Sequence, residues 1–555
     1  MEDETSARTD TEAEQARAVT RVALDGSASA MPVGPRRGAL AVITLAAVLW
    51  HSLVAMYPYS GEGLPPMYGD FEAQRHWMEL TVNLPPRMWY VESELNDLKY
   101  WGLDYPPLSA YMARLFASFA PPESVALVTS RGFESEVFRA WMRNSVIVAD
   151  LLVWFPAVAL FASTYATRRT AAERDETALF AVLVAMPCLV LIDHAHFQYN
   201  AVGLGLFVLS VALLLRDSLV PDALGCFAFC LALNFKQMNL YYALAVAFYL
   251  LGKASQRLRA SGLAHAFTYL LILAGAVFVT FASVWWPWLG TWDDVRAVLL
   301  RVFPLHRGVY EDKVANAWCS LGLFYRPLRR VTPWACLCAT LLASAPFCLS
   351  VLTKPDRRTF VLACAGVSLS FFLFSYQVHE KHVLLPLTAV TMLCSDAPWL
   401  SVWMNAVAML SVFPLLDREG SSLAYVGSQL LNVCVHLFFF RGIDDSMPPS
   451  KSTSSSSSSS AAAAAGHRWR AVAVTCHIVA CHAAYEFVRR LPCLIKRWPD
   501  LPTYVVTVSS FLHLCAMYVV LLRLLPRLPH AQRRYSSSAG TAEYSITEPQ
   551  PLKLG

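Results

Sequence analysis

Apolar stretches of about 15 to 23 residues, the length a helix needs to cross a hydrocarbon core, recur near 38–56, 146–166, 177–193, 200–216, 219–234, 238–252 and 265–287. They resume near 333–352, 359–375, 382–395, 398–416, 425–441, 469–488 and 503–525. Several are short, so the pattern predicts an all-α polytopic membrane protein with roughly 11–14 transmembrane helices. Two interruptions stand out, residues 57–145 and 288–332. The first is far longer than a plain connector and is expected to be a structured, functional loop.

Basic residues set the orientation. Arg36 and Arg37 precede the first span, Arg168, Arg169 and Arg174 follow the second, Arg216 follows the fourth, and Lys253, Arg257 and Arg259 follow the sixth. These loops alternate to one side, which the positive-inside rule makes cytosolic. Both long loops then face the lumen or exterior. Residues 1–37 are polar with an acidic start, which does not fit a cleavable signal peptide, so the first span is expected to act as an uncleaved anchor. A core over 38–441 would be followed by a Ser/Ala-rich linker at 442–468, expected to be flexible. C-terminal transmembrane helices at 469–525 and a disordered cytosolic tail at 526–555 complete the expected organisation.

Composition agrees: 56% of residues are hydrophobic and 15% charged, far more apolar side chain than a soluble protein of this length uses. The net charge of +5 needs no nucleic acid to explain it. Most of the 14 cysteines, among them Cys188, Cys226, Cys364, Cys394 and Cys515, sit inside apolar spans, where a thiol packs as a small hydrophobe. Cys476-His477 and Cys481-His482 are five apart, which places them on different helix faces and argues against a metal site.

In a chain so poor in charge, the run Tyr68-Gly-Asp-Phe-Glu-Ala-Gln-Arg-His-Trp-Met-Glu79 crowds Asp70, Glu72, Arg75, His76 and Glu79 just after the first span. Ionisable groups beside a bilayer are costly unless they face water, a cavity or a partner, which makes this patch the first candidate reaction centre. Farther along the same loop, Pro106 and Pro107 fix the backbone and push Tyr105 towards an extended conformation. Asp104 is then either a group held on a rigid turn or the cap of a helix starting near Pro107.

Asp193-His-Ala-His-Phe-Gln-Tyr-Asn200 brings His196, Gln198, Tyr199 and Asn200 together, a composition suited to a polyhydroxylated, flat-faced ligand. A metal pair through His194 and His196 lacks a clear third ligand nearby, so hydrogen bonding is the expected role. Trp285 and Trp286 read as an interfacial belt. Arg301, His306, Arg307, Glu311, Asp312 and Lys313 come next, a cluster fit for the phosphate of a lipid donor or the sugars of an acceptor. Residues 314–325 are too short to span, which puts His379, Glu380 and Lys381 on the same face as Asp70. At a helix start, where backbone N–H groups favour anions, these three make a plausible phosphate site.

Tyr68–Glu79, Trp101-Gly-Leu-Asp-Tyr-Pro-Pro-Leu108, His196-Phe-Gln-Tyr-Asn200, Arg307-Gly with Glu311-Asp-Lys-Val-Ala-Asn316, and Tyr376-Gln-Val-His-Glu-Lys381 together resemble the endoplasmic-reticulum glucosyltransferases of asparagine-linked glycan assembly. The motifs occur in the family's order over roughly residues 40–440, and the first run looks like the branch that adds the first glucose. The resemblance implies a C-type glycosyltransferase fold, dolichyl-phosphate-glucose as donor, lipid-linked Man9GlcNAc2 as acceptor and an α-1,3 linkage formed with inversion. It also implies a reticulum membrane location with a lumenal active site.

Such a transfer needs one general base for the attacking hydroxyl, and cations or N–H donors for the departing phosphate. Asp70 is the expected base, with Glu72 or Asp104 as the alternatives, and His379 and Lys381 are the expected phosphate ligands. Positive side chains can stand in for a metal, so neither metal nor cofactor is expected. Against a transporter stand the gathering of polar clusters at one face and the lack of an internal repeat.

Overall fold

The computed structural model describes residues 35–166, 172–304, 313–440 and 458–526. Helix is the regular structure throughout, and no strand forms among these residues. In chain order the main helices are α1 (Pro35–Val54), α2 (Gly69–Asn83), α3 (Pro107–Ala117), α4 (Glu136–Ala166), α5 (Glu176–Phe197), α6 (Asn200–Leu214), α7 (Leu219–Phe235) and α8 (Ala243–Ser261). After them come α9 (Leu263–Trp285), α10 (Trp292–Val302), α11 (Pro333–Thr353), α12 (Arg357–Phe374), α13 (Leu384–Thr391), α14 (Pro398–Arg418), α15 (Ser422–Phe440), α16 (Ser458–Arg489) and α17 (Leu501–Leu524). Among the described residues eight helices, α4, α5, α9, α11, α12, α14, α15 and α17, are long and apolar enough to cross a membrane, and α1, α6 and α7 contain shorter apolar runs. The protein is a polytopic all-α membrane protein.

Boundaries moved where local capping overrides hydropathy. The second span starts before 146: Ser135 accepts a hydrogen bond from the Phe138 N–H and caps α4, so 136–145 are helix rather than loop. The stretch 382–395 is not one uniform span. It opens as a 3-10 turn, Glu380–Val383, capped by His379, and continues as the eight-residue α13, only about 12 Å long. The segment 314–325 contains just the short helix Ala317–Leu321, in keeping with a stretch that does not span. Helix α16 begins inside the Ser/Ala tract. Alanine has the highest helix propensity, so from Ser458 onwards the expected linker is helix; the rest of it, the N-terminal tail and the tail beyond 526 lie outside the described residues.

Within the membrane-spanning part α6 packs along α7 and α4, and α11 along α12. Stacked rings, Phe207 on Tyr242 at 3.5 Å and Tyr249 on Phe360 at 3.9 Å, close the core. The long first loop builds a core from Phe71, Trp77, Trp89, Tyr90 and Phe138, which Trp288 at the start of the second long loop joins. That core also takes in Phe197 and Tyr199, which clamps the loop onto the end of α5. Two wide π-helical stretches interrupt the spans, Asp150–Trp154 in α4 and Leu191–Phe197 in α5. Such stretches are often found at functional sites.

Candidate active site

The start of α2 is set by backbone that only particular residues tolerate. Gly69 has φ +67°, and a Cβ there would lie 2.3 Å from the Ser60 carbonyl oxygen. This close approach places Asp70 in the first turn of α2, where its N–H donates to Ser60 Oγ at 3.4 Å. The carboxylate meets three side chains from distant parts of the chain. Oδ2 accepts from Lys381 Nζ at 2.7 Å and from Gln198 Nε2 at 2.5 Å, and lies 3.1 Å from His196 Nε2. Oδ1 takes no hydrogen bond among the described residues, and the side chain is 23% exposed.

Burial by itself would raise the Asp70 carboxyl, but the Lys381 ammonium and the His196 hydrogen bond hold it well below the usual carboxylate range. Burial likewise opposes the Lys381 charge, and Asp70 and Glu380 outweigh it, raising the ammonium. The pair is therefore ionised: an anionic acceptor beside a fixed cation.

Asp70 opens onto a cavity of about 410 Å³, also lined by Trp101, Asp104, Tyr105, Gln198, Asn200, Lys236, Gln237, Tyr241, Arg301, Tyr376, Gln377, His379, Lys381 and His382. The volume suits a small-molecule site. Of the expected site residues, the fold brings Asp70, Asp104, Gln198, Asn200, His379 and Lys381 to this wall, with His196 directly behind Asp70. Asp104 is not a helix cap: the N-cap of α3 is Pro106, with no side-chain cap bond.

Other expected residues are elsewhere. Arg75, His76 and Glu79 are buried to 1% or less and Glu72 to 2%. Arg75 donates to Glu72 at 2.6 Å on two nitrogens and sits 2.8 Å from Glu79, with further bonds to Ser124 and Ser130. Glu72 also accepts from Tyr100 at 2.7 Å. These charges fasten α2 to the rest of the loop, and Glu72, Arg75 and His76 do not line the cavity. Despite burial, the Arg75 and His76 contacts bring the Glu79 carboxyl down to about 2. Tyr199 is buried, with its hydroxyl bonded to Ser145; Lys313 pairs with Asp500 at 2.8 Å; Glu380 does not line the cavity. Arg307, Glu311 and Asp312 lie outside the described residues.

Lys236 was not anticipated. Its Nζ donates to Gln198 Oε1 at 2.9 Å and to Asn200 Oδ1 at 2.6 Å and lies 4.6 Å from the Tyr105 ring centre. Burial lowers its ammonium below the ordinary lysine range. The signal was a single lysine between two apolar spans, a place where charge is costly without a task. Arg301 holds the Asp104 loop by donating to the carbonyls of Leu103 and Gly102.

Four non-glycine residues with positive φ border this region: Tyr68 at 54°, Trp101 at 53°, Phe197 at 86° and Gln377 at 54°. Each costs roughly 1–3 kcal/mol, and such strain gathers at functional sites. A separate buried cluster, His51, Asp150 and His194, lies in the membrane-spanning part. Asp150 Oδ2 is 2.8 Å from both His51 Nδ1 and His194 Nε2, a hydrogen-bonded arrangement that ties α1 and α4 to α5. His477 and Cys481, four residues apart and one from each Cys-His pair, both reach Ser509, so the pairs share a face in part, contrary to the expectation from their spacing; His482 turns instead to Tyr425, and the four side chains do not meet at one point.

The sequence is 43% identical over 409 residues to the dolichyl pyrophosphate Man9GlcNAc2 alpha-1,3-glucosyltransferase of Gallus gallus, covering 72% of this chain and 78% of that protein. It is 42% identical over 402 residues to the probable enzyme of the same name from Arabidopsis thaliana, covering 71% and 74%. Against the Schizosaccharomyces pombe protein, also named as probable, identity is 41% over 403 residues, covering 69% and 76%. The profile that describes the ALG6, ALG8 glycosyltransferase family matches residues 42–520, a span that contains the Asp70 cavity and every helix that builds it, and this chain belongs to that family.

Proposed function

We propose that this chain transfers glucose from dolichyl-phosphate-glucose to lipid-linked Man9GlcNAc2, forming an α-1,3 bond with inversion on the lumenal face of the endoplasmic reticulum membrane. The observation that carries the reading is the Asp70 carboxylate, with Oδ1 unengaged among the described residues, beside the Lys381 ammonium in a cavity that also presents His379. A base and a phosphate-binding cation are the two groups the reaction needs.

The acceptor hydroxyl oxygen attacks the anomeric carbon while its proton passes to Asp70. The bond from that carbon to the phosphate oxygen breaks, and dolichyl phosphate leaves with the electron pair and one further negative charge. Lys381 and His379 receive that charge, so positive side chains do the work a divalent ion would do. Gln198, Asn200 and Lys236, tied to one another, offer donors and acceptors for sugar hydroxyls. The names of the relatives support the Man9GlcNAc2 acceptor.

The test is transfer by the purified protein with defined synthetic lipids. Glucose should pass from dolichyl-phosphate-glucose to the unglucosylated Man9 acceptor. Transfer only to an already monoglucosylated acceptor, or only from a dolichyl-phosphate-mannose donor, would overturn the assignment in favour of a sister activity.

A further inference from the structure

We infer that Glu419 is a positioning residue for the reaction, fixing His196 and through it the Asp70 carboxylate; this rests on the reading of Asp70 as the base. Glu419 lies just past α14, and the chain is pinned there. Gly420 has φ +74° and the Ser421 N–H donates to the Leu416 carbonyl at 2.9 Å, the helix-ending Schellman arrangement. A carboxylate at this end faces the negative pole of the helix, which disfavours it. It is also only 11% exposed, and its Oε2 is buried with no hydrogen-bond partner among the described residues. A charge placed in two adverse surroundings calls for a specific partner.

That partner is His196. Glu419 Oε1 lies 2.7 Å from His196 Nδ1. Carboxylates can only accept, so Nδ1–H donates to Glu419 and Nε2–H donates to Asp70 Oδ2, which makes the ring a doubly protonated imidazolium held between two carboxylates. The ring is thereby fixed with Nε2 aimed at the reaction centre, 3.1 Å from Asp70 Oδ2 and 3.2 Å from Lys381 Nζ. The charged groups around the ring and its partners are Asp70, Lys381, Glu419, Glu380 next to Lys381, and Arg143 on the Glu419 side, which also donates to the carbonyls of His194 and Ala195. With Oδ2 held by His196, Gln198 and Lys381, the carboxylate keeps Oδ1 for the acceptor hydroxyl. The arrangement shares the logic of an acid orienting a histidine that in turn serves the reacting group. Glu419 forms and breaks no bond.

The test is kinetic, on the full-length protein. Glu419→Gln keeps the shape but can turn an N–H towards Nδ1 and release the ring; kcat should fall about 10–100-fold, part of the usual worth of acid–base catalysis, with donor and acceptor KM within about twofold. Glu419→Asp, which keeps the charge, should recover part of the loss. His196→Gln should lower kcat similarly, and the double variant Glu419→Gln/His196→Gln should be no worse than the poorer single, since the two act as one unit. Wild-type kcat in Glu419→Gln, a change in KM alone, or additive losses in the double variant would each overturn the inference. If Glu419→Gln does not fold, the Asp and His196→Gln variants decide, and wild-type kcat in both overturns it. Asp70→Asn in the same assay separates the two readings. Transfer surviving there removes the base and the relay together, whereas transfer lost there but normal in Glu419→Gln removes only the relay.

Discussion

Asp70→Asn removes a proton acceptor and little else. The amide oxygen can take the place of Oδ2 and still accept from Lys381 Nζ and Gln198 Nε2, now 2.7 and 2.5 Å away. The amide nitrogen then occupies the Oδ1 position and presents a donor where the acceptor hydroxyl needs an acceptor. Lys381 stays charged because Glu380 and Glu419 also raise its ammonium. The Lys381–Asp70 pair is mostly buried, its side chains 21% and 23% exposed, and the amide oxygen keeps a bond to Lys381, so losing the charge should cost about 1–3 kcal/mol of stability. The chemical step loses its general base, worth about 10²–10⁴-fold, or roughly 3–5 kcal/mol of barrier. Single-turnover transfer of radiolabelled glucose measures this directly, with thermal unfolding in detergent as the control for folding. A folded Asp70→Asn protein with kcat within about threefold of wild type would refute the reasoning, because no base worth that much could have been removed.

Lys381→Ala removes a charge-assisted contact worth roughly 1.5–3 kcal/mol, so kcat/KM for the donor should fall about 10–150-fold while acceptor KM changes little. The same variant leaves the burial of Asp70 opposed mainly by His196; the carboxyl rises, and the acid limb of the pH–rate profile, hidden at low pH in the wild type, should move up in pH. Arg75→Met strands Glu72 and Glu79 in the loop core and should destabilise the protein by about 3–5 kcal/mol, read as a lowered Tm, with activity lost along with the fold. Activity of the purified protein should survive excess chelator; loss on chelation, restored by manganese or magnesium, would point to Asp70 and its neighbours as metal ligands.

Hydropathy revealed the class of fold because a bilayer imposes a length on each span, and the motif stretches around Asp70, Asp104, Gln198 and His379 meet at one cavity. Which charge in a motif faces the cavity was not legible. Asp70 and Arg75 stand five residues apart in one run, yet one lines the cavity and the other is sealed in the loop core, a difference decided by contacts with Lys381 and Ser130 far away in sequence. Lys236 and Glu419 were missed for the same reason. Lys236 is a lone ionisable residue at the end of an apolar helix and Glu419 closes the run Asp417-Arg418-Glu419 at the end of another, and the task of each appears only when α5 delivers Gln198 and His196 beside it. The early start of α4 depended on Ser135, a local cap that hydropathy does not weigh.

The π-helical stretch Leu191–Phe197 makes the aim of the site a matter of counting. A π turn holds one residue more than the α turn it replaces, and on this stretch His194 reaches Asp150 among the spans while His196 reaches Asp70 in the cavity. Deleting one residue such as Ile192 while the turn closes to α geometry would leave the downstream residues nearly in register, but inserting one more, which the wide turn cannot absorb, would rotate them by about 100°, pulling His196, Gln198 and Asn200 out of register together. A substitution here alters one contact, but an added residue alters them all. This segment should therefore accept conservative replacements, and even loss of one residue, far more readily than insertions.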